Sequence, residues 1–156
     1  MDKYLDKLKS LYDELIAEGC NQFYIHGISA FFPDDVFCLN YDGQKWEIYY
    51  TERGIKEKSI YSTCDFENAI NYYRDYIKNI VHLHLICFTR SNEKINEYKK
   101  ILKNNGIKYF ENNIPSYKYY GDYIFRLFVK NRDIFKAEIL FDDIPYYDNE
   151  LKKDNN

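Results

Sequence analysis

Two runs of alternating side chains, Phe37 to Tyr41 and Trp46 to Tyr50, meet at Asp42-Gly43. Asp-Gly is among the strongest short-range hairpin signals, because a tight two-residue turn needs positive φ at both central positions. With those residues as the turn, Tyr41 faces Gln44, Leu39 faces Trp46 and Phe37 faces Ile48. Period-two alternation then gathers Phe37, Leu39, Tyr41, Trp46, Ile48 and Tyr50 on one face and leaves Asn40, Lys45 and Glu47 on a wet one. A hairpin is marginal alone, so this face must dock on a helix.

The helices are legible around it. Leu5, Leu8, Leu11, Tyr12, Leu15 and Ile16 recur at three-and-four spacing and Gly19 supplies a stop, which predicts a helix over 2–18. Thr63 or Asp65 can cap a helix carrying Phe66, Ala69, Ile70, Tyr73 and Ile77, and Ser91 can cap one carrying Ile95, Tyr98, Ile101 and Leu102. Arg53-Gly54 gives a second turn, from which Ile55 to Ser62 returns as a third strand. Val81 to Phe88 reads either as a buried helical continuation, the preferred reading, or as a strand, and Ile134 to Leu140 as a short helix or a last strand. The expected fold is α+β, with one antiparallel sheet packed on helices near 2–18, 65–80 and 91–105. That sheet comprises a meander over about 36–62 and strands near 107–111 and 123–130. A single domain over 1–151 and a disordered tail over 152–156 are expected.

A chain of 156 residues can bury a core without disulfide or metal staples. Its 18 Tyr and 11 Phe are unusually many, and tyrosine rings need a partner or water for their hydroxyls. The net charge of −3 lacks the basic footprint of a nucleic-acid binder. Asp2, Lys3 and Asp6 follow Met1 where a signal peptide would be apolar, and no run is long enough to span a membrane, so a cytoplasmic location is expected. Cys20, Cys38, Cys64 and Cys87 lack paired spacing and read as free thiols.

Candidate chemistry is thin. His82-x-His84 could offer two imidazoles to a metal, but no third ligand is nearby in sequence, so no metal or cofactor is expected. His26, Glu52 and Arg53 could form the pocket of a small hydrolase or nucleotide-processing enzyme if the fold gathered them. No phosphate-binding glycine loop, nucleophile elbow or zinc-protease motif occurs. What stands out is surface: Tyr117, Tyr119, Tyr120 and Tyr123 crowd a polar loop, and Tyr146 and Tyr147 follow Asp142 and Asp143. Tyrosine suits protein interfaces, bringing large area at low side-chain entropy.

The run Phe32-Pro33-Asp34-Asp35-Val36, the segment Asp42 to Gly54, a helix start at Asp65 and the stretch Arg126 to Asp133 together resemble small cytoplasmic immunity proteins of bacterial polymorphic or contact-dependent toxin systems. The resemblance implies a non-catalytic protein that neutralises a cognate toxin by direct contact. Contact residues are then expected among Tyr117, Tyr119, Tyr120, Tyr123, Asp142, Asp143, Tyr146 and Tyr147, with Glu52 and Arg53 at a rim. A subunit that oligomerises through its aromatic surface is a third reading; the oligomeric state is left open.

Overall fold

The computed structural model describes residues 2–152, so the last four positions of the expected tail lie outside the described residues. The architecture is α+β, with four helices and two sheets of four strands each. The chain divides into two compact units, Met1–His82 and Leu83–Asn156.

The amino-terminal unit runs α1 (Asp2–Ala17), β1 (Phe23–Ile25), β2 (Asp35–Tyr41), β3 (Trp46–Glu52), β4 (Ile55–Thr63) and α2 (Phe66–Asn79). The sheet order is β1-β2-β3-β4, with β1 parallel to β2 and the other pairs antiparallel. Leu8, Leu11 and Leu15 of α1 and Ala69, Ile70, Tyr73 and Ile77 of α2 are buried in one core with Leu39, Trp46 and Ile48. Tyr4, Trp46 and Phe66 pack ring against ring there. Asp65 caps α2 by accepting from the Asn68 N–H at 2.8 Å.

The hairpin register differs from the expected one. Tyr41 pairs with Trp46, Leu39 with Ile48 and Phe37 with Tyr50, so the loop holds four residues, not two. The Asp42 carboxylate causes this: it accepts the Gln44 and Lys45 N–H groups at 2.8 and 2.9 Å, gathering the chain into an Asx turn. These bonds also hold its pKa below the usual value. Because the slip is two residues, every side chain keeps its predicted face. The doubly positive φ expected at Asp42-Gly43 occurs instead at Arg53 (51°) and Gly54 (77°), where Glu52 and Ile55 pair across a two-residue turn. The opposite face is not wholly wet either, since Val36, Cys38, Tyr49 and Thr51 are buried on it.

The carboxy-terminal unit contains β5 (Leu83–Thr89), α3 (Asn92–Asn104), β6 (Phe110–Glu111), β7 (Phe125–Lys130), α4 (Asp133–Leu140) and β8 (Tyr146–Tyr147). Its sheet order is β6-β7-β5-β8, with β8 parallel to β5. Two expectations are corrected here. Residues 83–89 form a strand rather than a helix, and the strands at 110–111 and 125–130 pair within this second sheet rather than extending the meander. The causes are linked. Ile86 to Thr89 are all buried, which hides the period-two signal, and α2 has already ended at Asn79 with Ile80 extended. Once 83–89 is a strand, β7 has its own central partner. Ile86, Cys87, Ile95, Leu102, Leu127 and Val129 make the core of this unit.

Candidate binding loop and its anchor

Residues 112–124 form the loop that holds four of the six tyrosines expected at an interface, Tyr117, Tyr119, Tyr120 and Tyr123. Its base is closed by a bridge in which Ile114 and Ile124 exchange two backbone hydrogen bonds of 2.8 Å. The neck is fixed by Arg126, whose Nε donates to the Asn112 carbonyl at 2.6 Å while its backbone N–H donates to Asn113 Oδ1 at 3.0 Å. Inside the loop, the Tyr117 N–H donates to the Asp122 carbonyl and the Asp122 N–H to the Tyr119 carbonyl, at 3.0 and 3.1 Å.

The organising contact is one that the sequence did not announce. Arg90, directly after β5, grips the buried Asp122 carboxylate with a fork: Nε to Oδ1 at 2.6 Å and Nη2 to Oδ2 at 3.0 Å. Such bidentate, charge-assisted pairs fix orientation as well as distance. Asp122 Oδ2 also accepts the Lys118 N–H at 3.1 Å, so one carboxylate ties the loop to itself and to the end of β5. The Arg90 guanidinium and that N–H hold the Asp122 carboxyl below its ordinary pKa. On the other side of Arg90, Asp148 accepts the Arg90 N–H at 2.8 Å and the Thr89 hydroxyl at 2.6 Å, which anchors the segment following β8. An arginine beside a helix cap and an aspartate among tyrosines are the only traces of this network in the sequence.

With the loop so held, the eight residues expected in this unit separate into two groups. Tyr117 and Tyr147 both pack on Phe88, with ring centroids at 5.4 and 5.5 Å. Tyr146 lies in β8 against Tyr98 and beneath Lys94. These three face inward at least in part. Tyr119, Tyr120 and Tyr123 face outward, 65, 98 and 44% exposed, and Asp142 and Asp143 are also exposed. Glu52 and Arg53 are exposed in the amino-terminal unit, at the β3–β4 turn. They therefore belong to a different compact unit from the tyrosines.

His26, Glu52 and Arg53 have separate partners. His26 Nε2 shares a hydrogen bond of 2.9 Å with the Tyr49 hydroxyl and its ring lies edge-on to Tyr24; burial lowers its pKa and raises that of Tyr49 to about 12. A side-chain hydrogen bond with Glu57, and the charges of Glu57 and Asp35, raise the pKa of Glu52. The Arg53 N–H donates to the Asp34 carbonyl at 2.6 Å. His82 is a structural residue: its Nδ1 accepts the Asn21 and Gln22 N–H groups at 3.1 Å, and its Nε2 lies 2.7 Å from the Ile77 carbonyl. Among the described residues, no group of three or more His, Cys, Asp or Glu is placed to hold a metal ion, and no helix is long and apolar enough to cross a membrane.

The thiols are separated by burial. Cys20, Cys38 and Cys87 are buried, which pushes their pKa values up to about 11, 11 and 12, whereas Cys64 is exposed. The thiolate is the reactive form. Titration of the native protein with Ellman's reagent at pH 8 is therefore expected to release one equivalent rapidly and four after denaturation; rapid release of two or more from the native protein would contradict the burial. Comparison with protein-family models, with curated proteins and with solved structures found no match to this chain.

Proposed function

We propose that this protein is a non-catalytic binder that neutralises a cognate bacterial toxin by direct contact, acting in the cytoplasm as an immunity protein. The observation that carries the reading is the exposure of Tyr119 and Tyr120 on a loop whose backbone is fixed by Arg90 and Asp122. Two large rings presented on a rigid loop lose little entropy when they bind, which is what an interface anchor requires. The exposed Asp142 and Asp143 and the net charge of −3 favour a basic partner, because opposite fields speed encounter.

The test is a titration against the product of the neighbouring gene. Growth arrest by that product is expected to be relieved by this chain, and its activity in vitro to fall in proportion to added protein and vanish at a fixed stoichiometric ratio. Loss of toxin activity at strongly substoichiometric amounts would indicate turnover and overturn the non-catalytic reading. Full toxin activity in the presence of excess protein would overturn the immunity reading for that pair.

A further inference from the structure

A second surface lies wholly within the amino-terminal unit. Where the edge strand β4 and helix α2 flank the sheet, Phe37 is the centre of three rings: Tyr50 packs on it at 4.9 Å and Tyr76 at 5.2 Å, tilted by 46 and 64°. These rings, with Gln22, Glu57, Lys58 and Ile60, line an open cavity of about 360 Å³. Tyr76 is also a wall of a second cavity of about 400 Å³, which Asp75 lines. Tyr76 thus stands between two cavities, and the aromatic groove that it forms with Phe37 and Tyr50 has a carboxylate on its own wall, Glu57, and another, Asp75, on the wall of the neighbouring cavity.

We propose that this groove receives an arginine side chain presented by a partner protein. The occupant follows from charge and shape. A guanidinium is planar, so it can lie on a tyrosine face and at the same time donate in-plane N–H bonds to a carboxylate. Tyr76, which lines both cavities, supplies the face and Glu57 the acceptor. Glu57 does not stand alone on this side, because it interacts with Glu52, which pairs across the hairpin with Asp35, so that three acidic side chains cluster there. A hydrogen bond with Glu57, together with the crowding of these carboxylates, holds Glu52 above its ordinary pKa, and an incoming cation would relieve the crowding. Lys58 is the single base on the wall of the first cavity. The inference concerns a different surface from the tyrosine loop and does not depend on the partner being a toxin.

The experiment uses N-acetyl-arginine methylamide as probe and its neutral counterpart N-acetyl-citrulline methylamide as control, titrated into the full chain with NMR observation of the Phe and Tyr ring signals. Saturable shifts at Phe37, Tyr50 and Tyr76 are expected, with the arginine probe bound about tenfold more tightly than citrulline. Tyr76→Leu keeps apolar packing on Phe37 and removes the π face, and Glu57→Gln keeps shape and removes charge; each is expected to weaken binding by about fivefold. Lys58→Gln is expected to strengthen it. Retained amide dispersion in each variant establishes that it is folded. Equal binding of the two probes, shifts that never saturate, or folded Tyr76→Leu and Glu57→Gln variants that bind like the parent would each overturn the proposal. No toxin is present in this measurement, so its failure would leave the immunity reading untouched.

Discussion

Replacing Tyr73 by alanine is expected to destabilise the amino-terminal unit by about 4 kcal/mol, and replacing it by phenylalanine by about 2 kcal/mol. Tyr73 is fully buried on α2, yet its hydroxyl reaches the sheet. It donates to the Phe37 carbonyl at 2.7 Å and accepts the Tyr24 N–H at 3.1 Å, so one oxygen stitches β1 and β2 to the helix. The phenylalanine variant leaves both backbone groups without that partner, whereas the alanine variant also opens a cavity. The difference between the two therefore separates the ring from the hydroxyl. Urea unfolding followed by fluorescence of Trp46, the single tryptophan, which is buried between Tyr4, Tyr41 and Phe66, reads this unit directly. A phenylalanine variant within about 0.5 kcal/mol of the parent would show that the hydroxyl contacts contribute nothing.

The second large effect concerns function. Asp122→Asn keeps the size of the side chain but removes the charge that Arg90 grips, and is expected to free the loop at its centre. Amide exchange at Tyr117, Lys118 and Asp122 should accelerate by about tenfold or more, and affinity for the proposed toxin partner should fall by a comparable factor. The same pair gives a pH signature. The Asp122 carboxyl has a lowered pKa in the folded protein, so its stabilising contribution is complete above the unfolded-state value of about 3.9 and is lost as pH falls through the lower folded value. Loop protection in the parent should thus persist down to about pH 5 and decline only below about pH 4, whereas in Asp122→Asn it should be weak throughout. Unaltered exchange in the variant at neutral pH would remove Arg90 and Asp122 from the account of the loop.

Much of the local structure was legible because local chemistry decides it. Asp65 and Ser91 cap helices where their side chains accept the N–H three residues on, and the apolar stripes of α1, α2 and α3 are largely buried as their spacing demands, although Ile16 at the end of α1 is exposed. The hairpin faces survived a wrong register because an even slip conserves them. What was not legible depends on long-range partners. Residues 83–89 have no surviving alternation once both faces are covered, and β8 is a two-residue strand defined only by its pairing with Cys87 and Phe88. The bond between Arg90 and Asp122 spans 32 residues and follows no local rule. For the same reason the tyrosine-rich loop was visible as composition, while the distinction between inward Tyr117 and outward Tyr120 was not. That distinction requires Phe88 to lie beneath one ring and nothing to cover the other.

The proposed function makes the outward rings of this loop the contact face for a toxin. Hydrogen–deuterium exchange of the isolated chain and of its complex with the toxin tests it most directly. Complex formation is expected to protect amides within 117–123, and Tyr119→Ala combined with Tyr120→Ala to abolish both the protection and the neutralisation while leaving amide exchange in β5 and β7 of the free chain unchanged. A stable complex in which 117–123 exchanges as in the free protein, with protection elsewhere in the chain, would contradict it.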